Sequence, residues 1–259
     1  MTSNTKQKPT LESTLKSMDT EEFIDIHFYR PIGYRWALFF NKFGISPNTV
    51  TIASIFIGAA AGVCFYPHNL TINIIGMLLL IWANSYDSAD GQLARMTGKK
   101  TPLGRILDGT AGDIWFISIY AAICARLTPQ WGIWIWVFAL ITGIFHSKQA
   151  AMADYYRNIH LLFLKGKAGS ELSHSPVLKE NYKKMSWKKD FIYKLFETFY
   201  INYTVGQERL TPKFQRMMQI IRQDYHDQAP EWFRTAFREK SLPLMKYTNM
   251  LSFNTRVIA

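Results

Sequence analysis

Four stretches of this chain are apolar enough and long enough to cross a lipid bilayer, which takes about 20 residues at helical rise. They cover residues 49–66, 70–87, 110–127 and 131–150. Only Pro67, His68 and Asn69 separate the first from the second, and only Thr128, Pro129 and Gln130 separate the third from the fourth. Upstream, a mixed pattern ending at Gly44 predicts an amphipathic helix on the membrane surface. Phe23, Ile26, Tyr34, Ala37 and Leu38 form its apolar face, and Pro31 interrupts it. Ser46, Pro47 and Asn48 then announce the first span. Asn48 is the expected N-cap, and Pro47 keeps the residue before it out of helix. From 151 to 246 the pattern is polar and basic, with short mixed pieces that read as surface helices.

Charge changes this picture by its position. The 259 residues are 48% hydrophobic and 15% aromatic, with 30 Lys+Arg against 19 Asp+Glu and a formal net charge of +11. A basic balance alone suits nucleic acid, a membrane surface or an anionic substrate. Here the cations flank the apolar stretches: Arg30, Arg35 and Lys42 before the first, Arg95, Lys99, Lys100 and Arg105 between the second and third, Lys148 and Arg157 after the fourth. The excess of Lys and Arg on one side predicts that both termini and the central polar loop face the cytoplasm, and it argues against nucleic acid as a partner. Trp131, Trp134 and Trp136 fit an interfacial belt at the opposite surface. Cys64 and Cys124 lie inside apolar runs, so they read as small core residues and not as a disulfide framework. The polar N-terminus has no apolar core before a cleavage site and does not resemble a signal peptide.

The predicted fold is therefore all-α: an integral membrane helix bundle with four clear spans, an N-terminal interfacial helix and a polar helical cytoplasmic segment. The boundaries are 1–47, 48–150 and 151–259. A soluble helical hairpin protein is the alternative reading of the same pattern.

Within the polar stretch between the second and third spans the chain keeps several aspartates near hydrocarbon, where an unpaired carboxylate is costly. Asp87 and Asp90 share a helix face at the end of the second span, and Asp108 and Asp113 stand at the start of the third. If the two ends are neighbours, their carboxylates converge and require a cation. Oxygen ligands without His or Cys point to Mg²⁺, Mn²⁺ or Ca²⁺ and away from zinc. Gly91, Ala94 and Gly104 around them make room for a bulky ligand or for close helix packing.

These residues spell a known pattern. Asp87, Asp90, Gly91, Ala94, Arg95, Gly104 and Asp108 resemble the signature of the CDP-alcohol phosphotransferases, D-x2-D-G-x2-A-R followed by G-x3-D-x3-D. The resemblance implies a six-helix membrane enzyme that moves a substituted phosphate from a CDP-linked lipid to a small alcohol and releases CMP. It implies two divalent ions, Mg²⁺ or Mn²⁺, held by the signature aspartates Asp87, Asp90, Asp108 and Asp113, with the last of these as the base that deprotonates the acceptor. Gly91, Ala94, Arg95 and Gly104 would face the CDP and phosphate groups, Lys148 and Arg157 an anionic acceptor, and the enzyme would be a homodimer in the bacterial inner membrane. Inositol phosphate and glycerol phosphate are the expected acceptors.

Two departures stand out. Four spans are visible where the family has six, so the natural chain is expected to continue past Ala259 with two more. The family's last aspartate falls on Gly112, and Asp113 comes one residue late. On a regular helix Asp113 lies about 140° around from Asp108, so its use as the base predicts a one-residue π-bulge between Gly109 and Gly112. Two other functions fit the aspartates alone: an intramembrane prenyltransferase, disfavoured by the compact paired signature, and a non-catalytic ion-binding or scaffold protein, which needs neither the A-R nor the G-x3-D element.

Overall fold

The computed structural model describes residues 10–166, 169–226 and 228–251. The described residues are all helical or irregular, with no strand among them. The chain divides after Phe145 into two units.

The first unit is built from α1 (Arg30–Lys42), α2 (Pro47–Val63), α3 (Leu70–Thr97), α4 (Pro102–Trp131) and the start of α5 (Trp134–Lys165). The α2 helix packs against both α3 and α4, and α1 lies along α3. The two long helices α3 and α4 are long and apolar enough to cross a membrane, while α2 is a shorter apolar helix and the fourth predicted span falls in α5. Many large apolar side chains face outwards, among them Ile74, Ile75 and Leu78 on α3, Ile117 on α4, and Phe138 and Leu140 on α5. Such bare faces belong in hydrocarbon, where a helix satisfies its own backbone. The three tryptophans predicted for the interfacial belt are all exposed, and Trp136 donates its indole N–H to Thr128.

Each helix end has a local cause, and two differ from the sequence expectation. Ser46, not Asn48, caps α2: its hydroxyl accepts from the Thr49 N–H, and Pro47 takes the first helical position, where its missing N–H costs nothing. Asn48 is turned instead towards the start of α4, where its side-chain oxygen accepts from the Thr101 hydroxyl. Residues 88–109, expected as a long polar loop, are almost wholly helical. The α3 helix continues ten residues past its apolar run and stops at Gly98, whose φ of 69° is left-handed. Thr101 caps α4 through the Gly104 N–H, so only residues 98–101 connect the two helices.

Ahead of α1, a π-helical turn (Asp25–Tyr29) runs directly into the helix, with Pro31 at the junction. The face of α1 that packs is Gly33, Ala37 and Phe40, which joins Val50, Ala89 and Leu93 in a buried cluster. Phe23 and Leu38, expected on the apolar face, are exposed.

Glycines set the distance between α2 and α4. A Cβ on Gly58 would stand 2.3 Å from the Trp115 indole, and one on Gly62 would stand 2.3 Å from the Ser118 hydroxyl. Trp115 is 1% exposed, so its ring fills the groove that Gly58 leaves. Cys124 is buried, as expected of a core thiol, whereas Cys64 is half-buried.

The second unit comprises the rest of α5 with α6 (Ser175–Lys184), α7 (Phe191–Leu210), α8 (Pro212–Tyr225), α9 (Glu231–Ser241) and α10 (Met245–Met250). Tyr155, Ile159 and Phe163 of α5 form a core with Met218 and Ile221 of α8, flanked by Phe233 and Phe237 of α9. Buried polar groups are tied off: Gln215 donates to the Tyr155 hydroxyl at 2.6 Å, and Glu208 accepts from the Ser175 backbone and hydroxyl.

Candidate active site

Because α3 continues as a helix to Thr97, Asp87 and Asp90 lie three residues apart on one of its faces. Because α4 starts at Pro102, Asp108 lies in its second turn, just across the four-residue connection. The result is a compact acidic cluster: one carboxylate oxygen from each of Asp87, Asp90 and Asp108 lies within 4.8 Å of the other two. Asp90 is 3% exposed, Asp87 is half-buried and Asp108 is exposed, so the cluster opens to one side.

Whether these residues fit a divalent ion is decided by Asp90. Its Oδ2 is buried without a hydrogen-bond partner. An ionised carboxylate oxygen left so costs several kcal/mol, of the order expected for a buried charge without a counter-ion. Three converging carboxylates compound that cost unless a cation neutralises them. The donor set is all oxygen, as a hard ion requires. The residues fit.

The segment ahead of α1 closes over the same end of α3. Arg30 donates from Nε to Glu21 at 2.8 Å and from Nη1 to the Ser88 hydroxyl at 3.3 Å, one residue from Asp87. Burial alone works against the charge of Arg30, but the neighbouring carboxylates of Glu21, Asp25 and Asp87 outweigh it and hold the guanidinium protonated. Gln92, fully buried, donates to the Arg30 carbonyl at 3.1 Å. Gly33 lets α1 approach so closely that a Cβ there would meet the Ser88 side chain at 2.8 Å. These contacts fix α1 against the residues between Asp87 and Gln92. In the sequence Arg30 is only a flanking charge; its partner Glu21 lies nine residues back, a spacing no helical periodicity marks.

Arg95 lies in the last turn of α3, two residues before its end, and its Nε donates to the Thr14 carbonyl of the N-terminal segment. Gly91 sits beneath that guanidinium, 3.4 Å from where a Cβ would be. Ala94 is half-buried on the same helix. Gly104 is a packing glycine: a Cβ there would stand 2.6 Å from the Asn48 side-chain oxygen.

Asp113 corrects the sequence reading. The π-bulge expected between Gly109 and Gly112 is absent, since α4 is α-helical from Pro102 to Trp131. Regular geometry turns Asp113 about 140° from Asp108, and it is not a member of the acidic cluster, which holds Asp87, Asp90 and Asp108. In this regular helix Asp113 stands outside the group of three carboxylates that converge.

Lys148 and Arg157 belong to the second unit. Lys148 is exposed, and Arg157 donates from Nη2 to the Thr248 carbonyl at 3.4 Å.

Comparison with known proteins agrees with the site. The family model described as CDP-alcohol phosphatidyltransferase matches residues 44–159, which include the whole acidic cluster. An uncharacterized protein of Aquifex aeolicus is 39% identical over 119 residues, covering 45% of this chain and 59% of its own. An archaetidylinositol phosphate synthase of Pyrococcus horikoshii is 33% identical over 90 residues, covering 35% of this chain and 46% of its own. The chain thus spans about half the length of the curated relatives it matches. No solved structure matches.

Proposed function

We propose that this chain, whose residues 44–159 match the CDP-alcohol phosphatidyltransferase family model, transfers a phosphatidyl-type group from a CDP-linked lipid to an alcohol and releases CMP, at a site facing the cytoplasm. The observation that supports this reading most directly is the acidic cluster, in which Asp90 keeps a buried oxygen without a hydrogen-bond partner beside Asp87 and Asp108. Asp87, Asp90 and Asp108 would hold the Mg²⁺ or Mn²⁺. A divalent ion bound there supplies charge neutralisation for the diphosphate and for CMP as it leaves.

The chain's own residues do the rest. Gly91 has no side chain of its own, and the Arg95 guanidinium lies over it, so a phosphate of the donor meets that cation beside Asp90. Arg95 and Arg30 bring positive charge to that end of α3 and orient an anionic donor. The bilayer-facing sides of α3 and α4 keep the lipid part of the donor in hydrocarbon while its headgroup reaches the carboxylates. The name of the Pyrococcus horikoshii relative makes inositol phosphate the first acceptor to try, with glycerol phosphate as the comparison.

The test is CMP release by the purified full chain in lipid, with CDP-diacylglycerol and each acceptor in turn. The expected result is turnover that needs both the acceptor and Mg²⁺ or Mn²⁺. Turnover undiminished by chelator would overturn the metal assignment, and CMP release independent of every alcohol tried would overturn the transfer reaction.

Acceptor activation is assigned to Asp113, the carboxylate one residue beyond Gly112. In the regular α4 helix it does not share the face of Asp108, so it acts only if the helix re-registers by one residue when substrates bind. Gly109, where a Cβ would meet nothing within 4 Å, leaves room for that shift. Asp113→Asn is then expected to lower turnover by roughly 10²-fold, the scale of general-base loss, with Mn²⁺ affinity unchanged. Turnover near that of the parent would remove Asp113 from the mechanism.

A further inference from the structure

The second unit carries an open cavity of about 690 Å³ that the proposed reaction does not use. It lies between α5, α8, α9 and α10, with Ile159 and Met245 buried at its base and Phe233, Phe237 and Met217 along its sides. Its size falls in the range of ligand-binding pockets, and its lining is almost wholly apolar and aromatic. The few polar groups at its base are committed within the protein: the Ser241 hydroxyl pairs with His160 at 2.7 Å, and the Thr248 hydroxyl donates to the Met245 carbonyl at 2.8 Å. A sugar, a nucleotide or a polyol would find no partners there and would lose its own hydration.

The rim has a different chemistry. Lys240 lines the cavity, and Trp232, Leu244 and Tyr247 around it are 68%, 55% and 55% exposed. Large apolar side chains left bare beside a cation are the pattern of a surface that meets lipid headgroups and the carbon just below them. The charge of the whole unit agrees. From His146 onward the chain carries 19 of its 30 Lys and Arg against 10 of its 19 Asp and Glu, so the basic balance resides here. Met217 and Met245 add adaptable lining suited to a flexible chain.

We propose that this cavity binds one acyl chain of an anionic membrane phospholipid, with Lys240 at its mouth pairing with the headgroup phosphate. The occupant is long, apolar and charged at one end, which is what an apolar pocket with Lys240 in its lining and Lys246 over the rim residue Tyr247 selects. The site is separate from the acidic cluster and stands whether or not the transferase reading holds.

The test is photo-crosslinking of the full chain in lipid bilayer discs that contain a trace of phosphatidylglycerol carrying a diazirine on its acyl chain, with the labelled peptides mapped by mass spectrometry. Labelling is expected on the peptides of Phe233, Phe237 and Met245, and about fivefold less from the matching phosphatidylcholine, the value of one lysine against an anionic lipid. Ala236→Trp, which plugs the cavity from an exposed position, should remove that labelling while the lipid-facing Ile74 and Leu78 stay labelled as before. Lys240→Glu, a surface change that leaves the lining intact, should bring phosphatidylglycerol down to the phosphatidylcholine level.

Three outcomes would overturn the proposal. Equal labelling in Ala236→Trp would place the lipid outside the cavity. No labelling of the cavity peptides in the parent chain would mean that another part of the protein or a partner fills it. Loss of labelling on adding an equimolar free fatty acid would assign the cavity to a free acid and not to a bilayer lipid.

Discussion

Asp90→Ala is expected to abolish CMP release, by at least about 10³-fold, while the protein still inserts, keeps its helix content and unfolds at a temperature no lower than the parent. The direction of the stability effect is the distinguishing part. Asp90 is the most buried of the three carboxylates, and one of its oxygens has no hydrogen-bond partner. In the absence of metal, removing it relieves both a desolvated charge and the repulsion from Asp87 and Asp108. Function and stability should therefore move in opposite directions, as they do where a site is strained for its ligand. In the metal-loaded protein the ordering reverses, because the parent gains binding free energy that the variant lacks. The measurement is a pair of melting curves with and without Mn²⁺, together with Mn²⁺ titration followed by electron paramagnetic resonance. A variant that melts well below the parent in chelator, or that binds Mn²⁺ as the parent does, would refute the assignment of Asp90 as a ligand.

The second large effect is structural. Gly58→Leu should dismantle the contact between α2 and α4, since even a Cβ at that position would stand 2.3 Å from the Trp115 ring. Overpacking of a buried helix interface costs typically about 1–3 kcal/mol and more when a rigid ring is in the way. Because α2 also packs on α3, the displacement would be felt at Asp87 and Asp90 as well as at Trp115. Turnover should fall with stability, and Trp115→Ala in the same chain should restore part of both by vacating the groove. Rescue of neither would show that the glycine serves something other than this close approach.

The architecture was legible where hydrophobicity alone decides it. The apolar runs located α2, α3, α4 and the first half of α5, and the paired aspartates located the cluster. What periodicity missed were helices that outlast their apolar stretch. Beyond residue 87, α3 is held by packing of Ala89 and Leu93 against α1 and by the left-handed stop at Gly98, not by contact with hydrocarbon. A reader of hydropathy sees a loop there. The cap of α2 was missed because Ser46 and Asn48 are both good caps, and only the side chain of Thr101 across the interface decides which is used for something else. Gly58 and Gly62, four residues apart in an apolar helix, did carry a readable signal of close helix contact. The grip of Arg30 on Glu21 and Ser88 had no such signal, since it joins elements distant in sequence. The cavity of the second unit arises from four amphipathic helices whose individual patterns say only that each has an apolar side.

The four-residue connection between α3 and α4 bears on how the protein is made. All three carboxylates of the cluster sit on a single helical hairpin, closed by residues 98–101. Bringing them together therefore costs little chain entropy and requires no segment that follows α4. During synthesis the acidic site can assemble as soon as that hairpin has left the ribosome and entered the bilayer, before the second unit exists, and a cation captured at that moment would fasten the first two long helices while the rest of the chain is still being translated.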